Sequence, residues 1–170
     1  MSPEKPRGRI GRVARWQGVI DSEPELAAEV QAVFDAHKHK LIATLRRDGS
    51  PRISGIEFEF TGGDVSFGMM PRSRKRDDLR RDQRTELHSM SILPEGDELA
   101  WRGDARISGR AREITDAAER SRFTDTPADA YPLFVLDIER VVRIKLDGSP
   151  PHLLIQTWRP DRPLESTFAD

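Results

Sequence analysis

Val65-Ser-Phe-Gly-Met-Met-Pro-Arg-Ser-Arg-Lys-Arg-Asp-Asp-Leu-Arg-Arg-Asp-Gln-Arg84 is the stretch whose reading decides the fold. It opens with Val65, Phe67 and Met69 alternating against Ser66 and Gly68, the two-residue period of a strand. Pro71 breaks that period, and the residues after it can form a helix, although Leu79 is their one apolar anchor. A helix that buries so little is not held in place by packing alone. An anion supplies the missing reason. Ser73 stands where a cap belongs, the first-turn N–H groups are free, and Arg72, Arg74 and Lys75 gather positive charge at the end where a helix ordinarily prefers acids. The pattern points to a phosphate at the helix start. The alternative is a solvated basic helix that binds nothing.

Toward the N-terminus, Gly62-Gly63-Asp64 turns the chain back into a strand from Arg52 to Phe60. Strand parity sets Arg52, Ser54, Ile56, Phe58 and Phe60 on one side, with Ile53, Gly55, Glu57 and Glu59 on the other. Asp48-Gly49-Ser50-Pro51 is a hairpin turn from a preceding strand, Leu41 to Arg46. Before it, Ser22 and Glu25 have capping-box spacing for a helix that ends near His37, with Leu26, Val30, Val33 and Phe34 on one face. Toward the C-terminus, Thr85 to Ile92 reads as a strand. Trp101 to Arg112 alternates small and basic residues as one long strand that bends at Gly103 and Gly109. A short helix at Ala117 to Arg122, a long strand from Leu133 to Leu146, a turn at Asp147 to Pro150 and a last strand from His152 to Trp158 follow.

The sum is a mainly β chain of six to seven antiparallel strands with short peripheral helices. Long curled strands joined by hairpins suggest closure into a small barrel, because closure removes exposed edges. One domain is expected over 19–160, preceded by a mobile basic arm at 1–18 and followed by a loose polar tail at 161–170.

The 170 residues contain no cysteine, which excludes disulfides, thiolate metal sites and a thiol nucleophile. No apolar run approaches the length of a membrane span, and the N-terminus is too polar for a signal peptide, so a cytoplasmic protein without membrane contact is expected. The 28 Lys and Arg balance 29 Asp and Glu. That balance argues against a nucleic-acid partner, although Arg7 to Arg15 and Arg102, Arg106, Arg110 and Arg112 are locally basic. No metal site and no catalytic acid or base stands out; His88 and the pair His37 and His39 are read as structural or exposed.

Several ordered fragments together resemble the FMN-binding split barrels related to pyridoxamine 5′-phosphate oxidase. They are Ala43-Thr-Leu45, Asp48 to Arg52, Phe67-Gly68, Ser73-Arg74-Lys75, Leu79, and Asp82 leading to Arg84. The resemblance covers residues 41–114. It implies an antiparallel split β-barrel and a homodimer with FMN at the subunit interface. It further implies that Arg52, Ser54, Ser73, Arg74 and Lys75 hold the cofactor, with Phe67 and Gly68 bordering its ribityl chain or ring. Gly55 is a place where a planar ring can approach backbone.

The implied activity is a flavin-dependent oxidoreductase that exchanges hydride with a small organic molecule. Two departures stand beside it. Glu57 occupies the position where the oxidases carry a lysine, and the C-terminal Arg and His pair that binds their substrate is missing. Similar barrels use a deazaflavin coenzyme in place of FMN, and that cofactor stays open. So does a non-catalytic module binding a flavin or a tetrapyrrole-like ligand. Trp101, Trp158 and Tyr131 are candidates to cover a ring, to form a dimer contact or simply to pack.

Overall fold

The structure is a computed structural model that describes residues 12–127 and 129–169. Its first elements are two helices, α1 (Trp16–Ser22) and α2 (Pro24–Asp35), in place of the single helix expected after Ser22. Pro24 is the cause. A proline starts a helix easily and pushes the residue before it out of helical geometry, so Glu23 separates the two. Ser22 therefore does not cap α2. Its hydroxyl donates to Gly18 O at 2.8 Å and accepts from Trp158 Nε1 at 2.8 Å. Leu26, Ala27, Val30 and Phe34 form the buried stripe of α2.

Strands β1 (Lys40–Leu45) and β2 (Pro51–Ile56) make the expected hairpin, in which Asp48 accepts from the Ser50 amide and hydroxyl. The single return strand expected from Arg52 to Phe60 is divided into β2 and β3 (Glu59–Thr61). β4 (Asp64–Gly68) leads into α3 (Arg74–Arg81), and β5 (Arg84–His88) follows. Then come β6 (Asp104–Glu113), α4 (Ala117–Arg120), β7 (Leu133–Asp147), β8 (His152–Trp158) and β9 (Glu165–Ala169). β6 starts later than Trp101 because a 3-10 turn at Glu98–Ala100 precedes it and Gly103 takes a positive φ of 78°.

The sheet runs β2-β1-β5-β6-β7-β4-β3, antiparallel throughout, with β8 and β9 added along the second half of β7. β2 and β3, consecutive in the chain, are thus the two ends of the path, and among the described residues no ladder joins them. The barrel is split rather than closed, and among the described residues it has nine strands rather than six or seven. Its curl comes partly from a bulge in β7 at Glu139, which has no partner where Ser108 and Gly109 of β6 pair with Arg140 and Ile138. A side chain at Gly109 would put its Cβ 2.1 Å from Asp137 O, so only glycine fits there.

The core joins both helices to the sheet. Trp16 is 1% exposed and Phe34 is fully buried, with Phe60 at 4.6 Å from the first ring and 6.0 Å from the second.

The basic arm expected at 1–18 lies outside the described residues up to position 11, and 12–18 are docked rather than mobile. Ala14 exchanges two backbone hydrogen bonds with Ile138, and Arg15 grips Asp64 through Nε and a terminal nitrogen, each at 2.6 Å. The tail is docked as well. β9 hydrogen-bonds to β8 through its backbone, a pairing that polar side chains do not prevent. No helix among the described residues is long and apolar enough to cross a membrane.

Candidate functional site

α3 is held over the β1–β2 hairpin by two side chains. Leu79 is fully buried, as its lone apolar position requires, and Asp78 beside it is 4% exposed. A buried carboxylate must be paired. Asp78 accepts from Arg52 Nε on β2 at 2.6 Å, from Arg81 at 3.1 Å and from Thr44 Oγ1 on β1 at 3.0 Å. Burial opposes its ionisation, but the bonds from Arg52, Arg81 and Thr44 outweigh burial and hold it below the usual carboxylate range. One aspartate thus clips the basic helix to both strands.

Lys75 stands one turn earlier on α3, and its Nζ donates to Gly55 O on β2 at 2.5 Å. Burial holds its pKa below the usual lysine value. Between Arg52 and Gly55, the Ser54 hydroxyl is buried and has no hydrogen-bond partner among the described residues. β2 therefore presents, within four residues, a clamped guanidinium, an unpartnered hydroxyl and a carbonyl that holds an ammonium. Ser73 occupies the N-cap position of α3 without making a side-chain capping bond, and Arg74 is exposed beside it.

Next to this corner lies a groove of about 1150 Å³. Ile56, Phe58 and Met69 give it an apolar floor, while Lys75, Gly55, Phe67 and Gly68 border it. The expectation that Phe67 contacts a cofactor is modified: its ring is 2% exposed and stacks on Phe134 at 5.9 Å, so its main role is in the core. Gly68 serves a close approach. A Cβ there would stand 2.7 Å from the Tyr131 ring, which forms one wall and whose hydroxyl donates to Thr124 Oγ1 at 3.2 Å. Gly55 leaves open space, with nothing within 4 Å of where its Cβ would be. Glu57 turns outward at the rim and faces Lys38 at 3.5 Å and His39 at 3.4 Å.

The structure thus brings Arg52, Ser54 and Lys75 to one strand and sets Phe67 and Gly68 on the adjoining groove, with Ser73 and Arg74 at the helix start. Trp158 packs in the core. His88 donates through Nδ1 to Ser89 O at 2.6 Å, away from this groove. Sequence reading missed Asp78, one residue before the recognised anchor Leu79. It also missed Lys40, whose strand parity matches Ile42 and Thr44 once β1 is extended by one residue.

The model of the pyridoxamine 5′-phosphate oxidase family matches residues 26–145, most of the sheet and all of α3. The chain belongs to this family. Solved members of the fold are similar in shape though distant in sequence. The PhzG protein of Burkholderia lata 383, in complex with tetrahydrophenazine-1-carboxylic acid, is 16% identical, covers 88% of this chain and 93% of its own, and has a TM-score of 0.58. A pyridoxamine 5′-phosphate oxidase-related, FMN-binding protein of Nostoc punctiforme is 16% identical over 93% of this chain and 98% of its own, with a TM-score of 0.56. A heme-binding protein of Mycobacterium smegmatis is 19% identical over 86% of this chain and 59% of its own, with a TM-score of 0.55. No curated protein sequence gives a significant match. At these identities the likeness establishes the split-barrel fold, and family membership rests on the matched residues.

Proposed function

We propose that this chain is an FMN-dependent oxidoreductase whose cofactor phosphate sits between β2 and the start of α3. The observation that carries the reading is the corner made by Lys75, Ser54 and Arg52: an ammonium held in partial burial, a buried hydroxyl without a partner and a guanidinium fixed from behind. A phosphate fits each of them. Asp78 engages the Nε of Arg52, which leaves its terminal nitrogens for phosphate oxygens. Lys75 spends one of its three protons on Gly55 O and keeps two. The Ser54 hydroxyl gains the partner that burial denies it, and Ser73 and Arg74 add donors at the helix start.

Bound there, the flavin ring supplies hydride exchange with a small organic substrate, and the protein supplies position and a partly dry cavity. Phe58 and Tyr131 line the adjoining groove, whose volume of about 1150 Å³ is more than one ligand needs. The same basic corner also suits a deazaflavin coenzyme, which is the second reading.

A second copy of the chain is proposed to complete the site across the outer face of β1 and β2. There Ile53 is 70% exposed and pairs across the ladder with Ala43. Half-buried Leu41, Ala43 and Leu45 lie on the same side of β1, so the exposed strip is apolar and continuous with Ile53.

The test is titration of the purified protein with FMN and with the deazaflavin coenzyme side by side, with sedimentation of the same samples at micromolar concentration. Saturable binding of FMN by a dimer is expected. Binding of the deazaflavin alone would transfer the reading to that cofactor. Binding of neither would remove it, and a 19.3 kDa monomer would remove the shared site.

A further inference from the structure

Of the three lysines that line the groove, Lys38 is exposed at the rim beside Glu57 and the phosphate corner uses Lys75. The third is Lys40, the first residue of β1. The strand alternates buried and half-buried positions, so Lys40 shares the inward face with Ile42 and Thr44. It is 6% exposed, and it borders the groove. Its Nζ lies 5.1 Å from the centroid of the Phe58 ring, and no hydrogen bond or ion pair reaches it among the described residues. Its register partner is Ile56, next to the glycine whose carbonyl holds Lys75.

Burying an ammonium without a carboxylate is costly, and a ring face offsets part of that cost. A bound anion would offset the rest. The groove does contain carboxylates, but Asp35, Glu57 and Glu59 are all exposed at its rim, and Glu57 is already matched by Lys38 and His39. Exposed charges are screened by water, whereas a recessed one acts at short range through a less polarisable medium. The floor is therefore electropositive although the lining as a whole is mixed.

Lys40 offers a compact ammonium with no fork to match, so one anionic oxygen at the edge of an apolar body satisfies it, as the carboxylate of an aromatic acid provides. Around it, Phe58 at 4% exposure and Ile56 at 6% form an apolar floor that a flat ring system can cover. The groove volume of about 1150 Å³ exceeds the usual range for one ligand, which is roughly 300–1,000 Å³.

We infer that Lys40 is the anion-recognition residue of a second subsite in this groove, where it takes the carboxylate of a flat aromatic acid bound beside the cofactor. The inference rests on the reading that Lys75 and Arg52 take the cofactor phosphate, and the two are separable by experiment.

The test uses 2-naphthoate and its neutral counterpart 2-naphthamide as probes, measured by calorimetry on the purified protein with and without FMN. The naphthoate is expected to bind at least about tenfold tighter, as a charge-assisted contact in a recess should allow. Lys40→Met, which keeps the apolar stem, should erase that preference while changing FMN affinity by less than about twofold, and Lys40→Arg should retain most of it. Equal binding of the two probes by the unaltered protein overturns the inference without need of any variant. A preference that survives Lys40→Met overturns it too, and a large loss of FMN affinity in that variant would place Lys40 in the cofactor site instead. Failure of FMN to bind at all would sink the proposed function, while the probe comparison on the apoprotein would still decide the role of Lys40.

Discussion

Asp64 and Asp78 solve the same problem in two places and to different ends. Each carboxylate is 4% exposed, and each is paired with two arginines. At Asp64 the pairing is self-contained: Arg15 uses Nε and a terminal nitrogen on the carboxylate and the same terminal nitrogen on Gly62 O, with Arg122 at 3.4 Å. That arrangement staples the segment before α1 onto β4, and it spends three of the five N–H groups of Arg15 within the protein. At Asp78 the arginine from β2 is held through Nε alone, so the carboxylate fixes a guanidinium whose working end is still available. A buried acid with arginines is thus not in itself a sign of function. The donors left unspent are.

Asp78→Asn and Asp64→Asn test the difference between the two carboxylates most strongly. Asp78→Asn leaves the mostly buried Arg52 guanidinium opposite a neutral amide and should cost about 3 kcal/mol of unfolding free energy in denaturant titrations, whereas the half-exposed Arg15 and Arg122 regain water in Asp64→Asn, which should cost about 1 kcal/mol. Their cofactor affinities should part. Asp78→Asn frees Arg52 and loosens α3, and should weaken FMN binding about tenfold or more, roughly 1.4 kcal/mol. Asp64→Asn should leave FMN affinity within about twofold, since Asp64 does not border the groove. Equal loss of FMN in both variants would show that the two sites do not differ as described.

A smaller effect sharpens the Asp78 half. Its folded-state pKa is held below the ordinary value, so its contribution to stability is complete above the unfolded-state pKa near 3.9 and is lost as pH falls through the folded value. The stability gap between the unaltered protein and Asp78→Asn should therefore be constant from about pH 5 to 8 and narrow below about pH 4. A gap that narrows instead as pH rises above 6 would contradict that sign.

Much of this architecture is legible in the sequence because its signals are local. Strand parity placed Arg52, Ser54, Ile56 and Phe58 on one face, and the structure keeps them there, with Ile56 and Phe58 buried and Ile53 and Glu57 exposed. The hairpin at Asp48-Gly49 and the bend at Gly109 are equally local. What eluded sequence reading depends on distance along the chain. Asp78 is one acid among many charges until Thr44 and Arg52, 34 and 26 residues away, turn inward to meet it. The docking of Ala14 on Ile138 and the pairing of β9 with β8 use backbone groups that every residue carries, so no side chain announces them. Lys40 was hidden by a strand boundary set one residue late, which kept the parity of Ile42 and Thr44 from being extended to it.

Whether the β2–α3 corner holds a phosphate is decided by comparing FMN with riboflavin, which lacks the phosphate, on the unaltered protein and on Lys75→Ala. The unaltered protein should bind FMN at least about tenfold tighter than riboflavin, and Lys75→Ala should remove most of that advantage with no change in melting temperature. Equal affinity for the two ligands, or a phosphate preference that Lys75→Ala leaves intact, would contradict the account.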